Sequence, residues 1–154
     1  MSAPTGSTKI FLGPKIVLGA AGSTSAVSDG SFAECTNDNL QQTDVDGAEF
    51  GLFEFDAGGT FSAAPTTSGT INIYEQTINS DGTDAPDVAS TYKHDLIGSL
   101  HISPADVAQY KAGVFPINYW GGKYWIEWLD NGGSASLSAG WELRVTPIYY
   151  GVAT

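Results

Sequence analysis

Apolar and polar positions alternate along most of the chain from residue 48 onward. In "AEFGLFEFDAGGTFS" (48–62), Phe50 and Leu52 fall on one face and Phe53 and Phe55 on the other. A strand covered on both faces over part of its length reads this way. "GTINIYEQTI" (69–78) sets Ile71 and Ile73 against Asn72 and Tyr74, the period of two that defines a half-buried strand. "HDLIGSLHIS" (94–103) places Leu96, Gly98, Leu100 and Ile102 on one side. "AGWELRVTPIYYG" (139–151) alternates Trp141, Leu143 and Val145 with Glu142 and Arg144. "VFPINYWGGKYWIEWLDNGG" (114–133) predicts a hairpin, with aromatic strands either side of Gly121-Gly122 and a second turn at Asn131-Gly132.

Only "PADVAQYKAG" (104–113) suits a helical turn, and it also suits the entry to a strand. Six to eight short strands with frequent turn signals predict an all-β fold, an antiparallel β-sandwich or jelly-roll. The first third is different. "KIFLGPKIVLGAA" (9–21) is apolar but carries Gly13 and Pro14 at its centre, which suits an edge strand or an extended arm. "FAECTNDNLQQTDVDG" (32–47) has few apolar residues and reads as weakly core-forming. The expected organisation is an N-terminal arm or edge segment over 1–30 and a β-sandwich domain over 31–154.

Composition changes this picture little. With 154 residues, 19 glycines and only 6 lysines plus arginines, the chain fits one β domain. Its net charge of −11 opposes binding to nucleic acid or to anionic membranes, both of which call for a basic patch. No run reaches the ~18–20 apolar residues of a spanning helix. "MSAPTGSTKIFLGPK" lacks the pattern of a signal peptide, so synthesis in a cytosol is expected. The single cysteine, Cys35, has no internal disulfide partner and sits in a polar stretch, where a thiol is usually incidental.

Candidate chemistry is sparse. Asp81, Asp84 and Asp87 lie in the turn "NSDGTDAPD" (79–87), but their spacing matches no calcium loop. "DVDGAE" (44–49) lacks the later ligands such a loop needs, and Asp-Gly is ordinary turn chemistry. His94 and His101 are an odd number of residues apart, on opposite faces of a regular strand. The pairs Glu54/Asp56 and Glu127/Asp130 imitate a glycosidase dyad, but 17 acids in a short chain produce such pairs by chance. No nucleophile elbow or zinc motif occurs. The expectation is a protein that is not an enzyme and has no metal or cofactor. The aromatics of the predicted hairpin divide by face, with Tyr124, Ile126 and Trp128 together and Trp125 and Glu127 opposite. One face is core. Trp120, Tyr124 and Trp125 are therefore candidates for a sugar platform or a subunit contact.

Between residues 49 and 149 the order of these units resembles a group of tailed-bacteriophage virion proteins. The resemblance rests on Phe61, Ala64, Pro65, Gly69, Ile71, Ile73 and Tyr74, on the turn Asp81-Gly82-Thr83, and on Asn131, Gly132, Leu143, Pro147 and Tyr149. The N-terminal segment and the Trp-rich hairpin have no counterpart in that pattern. The resemblance implies a small β-sandwich head decoration or cement protein on the capsid surface, made in the host cytoplasm. It implies the major capsid protein as partner and a homotrimer as the self-assembled form. In that setting Ile10, Phe11, Ile16, Val17 and Leu18 are the expected interface residues. The alternative is a carbohydrate-binding jelly-roll module of a phage spike, neck or tail.

Overall fold

The computed structural model describes residues 8–35, 45, 47–58, 61–62, 64–65, 69–77, 88–89, 91–103, 108–117, 122–130 and 135–152. These residues form two antiparallel sheets packed face to face, a β-sandwich. The strands are β1 (Thr8–Leu12), β2 (Ile16–Gly19), β3 (Phe32–Glu34), β4 (Phe50–Asp56), β5 (Thr70–Thr77), β6 (Asp95–His101), β7 (Tyr110–Pro116), β8 (Gly122–Leu129) and β9 (Glu142–Val152). The five-stranded sheet has the order β1-β9-β4-β7, with β2 also on β9. The four-stranded sheet has the order β3-β8-β5-β6.

The alternation read from the sequence places the core between the sheets. Phe53 and Phe55 of β4, Leu143 and Val145 of β9, Ile71 and Ile73 of β5 and Tyr124, Ile126 and Trp128 of β8 are all fully buried there. Two large indoles complete the filling, and each has its N–H satisfied. Trp128 Nε1 donates to the Ala135 carbonyl at 2.9 Å, and Trp141 Nε1 donates to the Ser25 carbonyl at 2.8 Å. A buried indole without such a partner would lose a hydrogen bond to water and gain none. Gly58 is the tightest point among the connections. Its φ is +71°, and a Cβ there would meet the Gly140 carbonyl oxygen at 1.8 Å.

Four expectations are corrected. Residues 114–133 do not form a hairpin. β7 pairs with β4 in one sheet, whereas β8 pairs with β3 and β5 in the other. The segment crosses between sheets, and alternation alone does not distinguish a crossing from a tight turn. Second, the inward set on β6 is not a simple period of two. The register with β5 slips between Ile73 and Tyr74, so that Ile73 faces Gly98 and Tyr74 faces Leu96. The extra residue turns Ile97 onto the core and leaves Leu96 exposed.

Third, the N-terminal third is not weakly core-forming. Leu18, Val27 and Cys35 are buried in the main core. Fourth, Cys35 does not sit in a loose polar stretch: it is buried in the core, and burial pushes its thiol pKa up. Of the two forms expected for the first 30 residues, 8–19 take the edge. β1 runs along the last residues of β9 and β2 along its first, with Gly13-Pro14-Lys15 as the break between them. The Gly13 N–H bridges that break by donating to the Pro147 carbonyl at 2.8 Å.

Candidate interaction surface

Each sheet also has an outer face, and the two differ. On the five-stranded sheet, inward Phe53 and Phe55 put Phe50, Leu52, Glu54 and Asp56 outside. Residues opposite one another in an antiparallel register share a face. The register therefore sets Ile10 beside Tyr150, and Leu12, Ile148, Phe50 and Pro116 in one row. The next row is Thr146, Leu52 and Val114. Ile10, Leu12, Val114 and Tyr150 are each more than half exposed. Phe50 and Tyr150 meet edge to face, with centroids 6.5 Å apart.

The other half of the same face is charged and internally paired. Lys15 Nζ lies 3.2 Å from Glu54 Oε2, Arg144 pairs with Glu142, and Tyr110 donates to Glu54. The Tyr110 hydrogen bond, helped by Lys15, holds the Glu54 carboxyl below its usual range.

On the four-stranded sheet, part of the outer face is covered by the chain itself, while Leu96, opposite Tyr74, stays exposed. Val88 packs on Tyr74 and Trp125, with Phe32 alongside. Ala89 and Tyr92 bridge each other, and Lys93 follows them onto the sheet. Lys93 Nζ lies 3.1 Å from Glu127 Oε1 and stands over the rings of Phe32 and Tyr74. Glu127 Oε2 accepts from Asn72 Nδ2 at 2.9 Å and from the Tyr74 hydroxyl at 3.1 Å. Trp125 Nε1 donates to Gln76 Oε1 at 2.8 Å. A buried carboxylate with this many donors is satisfied, not poised for chemistry.

Between the sheets, near one end, sits an acid that no motif announces. Glu75 faces inward, opposite Tyr124 on β8 and Asp95 on β6. Both Glu75 carboxylate oxygens and the Tyr124 hydroxyl are buried without a hydrogen-bond partner. Burial, reinforced by Asp95, raises the Glu75 pKa to about 7. Burial, Glu75 and Cys35 together push the Tyr124 hydroxyl up. The only sequence signal for this acid is its parity: Glu75 continues the inward series Ile71, Ile73.

The candidate residues named from the sequence separate as follows. Ile10 and Phe11 are exposed, and Ile16 and Val17 are half-buried. Leu18 is fully buried, so its assignment to an interface is corrected: it is a core residue. The sugar-platform assignment is corrected in the same way for Tyr124 and Trp125, which are buried on opposite sides of β8. Neither ring offers a flat face to a ligand. Trp120 lies outside the described residues, as do Asp44, Asp46, Asp81, Asp84 and Asp87. His101 is exposed and His94 is half-buried against Tyr92. Among the described residues, no three metal-ligating side chains converge. Glu54 and Glu127 are each held by a lysine, and Asp130 accepts from the Ala135 N–H at 3.4 Å.

Hydropathy along the chain singles out Ile10 and Phe11 but not Leu12, Phe50, Leu52, Val114 and Tyr150. Their common face follows from strand register, which alternation within single strands does not supply. Among the described residues, no helix is long and apolar enough to cross a membrane. Fold and surface together define a β-sandwich with one outer face partly covered by the chain and a second that is half apolar and half charged. No family model matches the chain, and no curated protein or solved structure matches it.

Proposed function

We propose that this chain is a structural docking protein that decorates and stabilises a bacteriophage capsid by bridging neighbouring subunits of the shell. The observation that supports docking is the bare apolar half of the five-stranded sheet, around Ile10, Leu12, Phe50, Leu52, Val114 and Tyr150. Contiguous exposed apolar surface of this kind marks contact sites in soluble proteins. The assignment of the shell as partner rests on the resemblance of residues 49–149 to phage virion proteins. The acidic character of the chain suits a surface turned away from packaged DNA. The sugar-binding alternative draws no support from the buried Tyr124 and Trp125.

The test is co-sedimentation of the purified protein with phage heads that lack it, followed by a count of bound copies. Decoration requires saturable binding at hundreds of copies per head. Leu52→Asp and Val114→Asp, which put charge on the bare face, should lower occupancy at least tenfold without unfolding the protein. Binding of a handful of copies, or none, overturns the reading. Deleting residues 1–20 is not a usable test, because it removes β2 and the core residue Leu18.

A further inference from the structure

We propose that β1 is a self-pairing edge, at which two copies of this chain join their five-stranded sheets across a two-fold axis centred on Ile10. All five residues of β1 are exposed, and β9 is its only partner strand among the described residues. β4 reaches β9 only as far as Phe50 opposite Ile148. Beyond that row, Thr8–Phe11 and Tyr149–Val152 continue as a two-stranded ribbon, exposed on both sides of β1. Such ribbons are marginal in water, and natural proteins cover or blunt apolar edges. Here Ile10, Phe11 and Leu12 stand exposed together.

Charge selects a second copy as the occupant. The chain carries −11, so two copies repel across most of their surfaces. The ribbon contains no Asp or Glu on either strand and has one cation, Lys9. It is a place where two copies can meet without opposing acids. The strand is also self-complementary. Full antiparallel overlap of a five-residue strand with itself forces the centre onto Ile10. Ile10 then faces Ile10 of the other copy, Thr8 faces Leu12, and Lys9 faces Phe11. No charge opposes its like, and the Lys9 ammonium is set beside an aromatic ring. The contact is isologous, so it replaces the three-fold arrangement implied by the resemblance. It stands independently of the capsid reading, and either can fail alone.

The experiment combines mass and cross-linking on the full chain. Sedimentation of the native protein should give a dimer, and Ile10→Asp should convert it to monomer by facing two acids across the axis. Val114→Asp, three strands away on β7 at the opposite edge of the sheet, should leave the dimer intact. Ile10→Cys should oxidise to a covalent dimer, since directly opposed residues lie within disulfide reach. Leu12→Cys should not, because its two copies would be roughly 14 Å apart along the strands. Native Cys35 is fully buried and does not compete. A monomer or trimer, or a dimer that survives Ile10→Asp, overturns the proposal. So does a dimer split by Val114→Asp, or cross-linking through Leu12→Cys as fast as through Ile10→Cys.

Discussion

The two outer faces of this sandwich start from similar strand chemistry and end in opposite states. Both mix apolar and polar side chains: Tyr74 and Trp125 beside Asn72 and Glu127 on one, Phe50 and Leu52 beside Glu54 and Asp56 on the other. On the four-stranded sheet, Trp125 and Tyr74 pack against Val88, and Lys93 pairs with the buried Glu127 carboxylate. On the five-stranded sheet, Val114 and Tyr150 are more than half exposed, and Phe50 and Leu52 between them are half-buried. Whether an outer apolar residue becomes core or contact surface is thus decided by a connecting segment, not by the strand that carries it.

Substitutions can break this comparison at its covered end first. Trp125→Ala should cost about 3–5 kcal/mol, the price of a large aromatic cavity, read as a fall in the urea midpoint. A loss below about 1 kcal/mol would mean that Val88 and Lys93 do not hold that face. The interior acid gives the next largest effect, and it depends on pH. Glu75 has its pKa raised to about 7 in the folded chain, against 4.5 when unfolded, so the folded state holds the proton more tightly. No penalty exists below about pH 4.5, and it grows through that window to its full value above pH 7. Native stability should therefore fall by about 3 kcal/mol from this group as pH rises. Glu75→Gln should flatten that slope, with its gain at pH 8 and almost none at pH 4.

Lys93→Ala sharpens the contrast between the paired and the unpaired acid. It leaves Glu127 with Asn72 and Tyr74 but without its cation. Because Lys93 is partly exposed, about 1 kcal/mol is expected, measured by denaturant melting. The bare face should respond least. Val114→Ser should change stability by no more than about 0.5 kcal/mol, as surface substitutions do. A loss as large as that of Trp125→Ala would show that the face is buried in the free protein as well.

Much of the architecture was legible from alternation. The inward sets Phe53/Phe55, Ile71/Ile73, Leu143/Val145 and Tyr124/Ile126/Trp128 all lie between the sheets. Three things were not legible, each for a physical reason. Alternation within a strand does not say which sheet the next strand joins, so β7 and β8 looked like one hairpin. The bulge in β6 lies beside Gly98, and reading that glycine as one more inward position of a regular strand hid the inward turn of Ile97. Cys35 and Val27 are single apolar residues in polar stretches, and only tertiary packing brings them under the core. The contact face was half legible, since Ile10 and Phe11 stood out by hydropathy while Leu52 and Val114 needed register.

Pro14 has a consequence for how far assembly can run. An uninterrupted edge over residues 8–19 would present a long template for further strands, the geometry from which fibrils grow. Proline has no N–H to donate, and here it divides that edge into pieces of five and four residues. A copy that pairs through the first piece uses it up, and the second ends in the buried Leu18 and Gly19. Growth along this edge therefore terminates after one addition, and the molecule can keep a sticky strand without becoming a polymer.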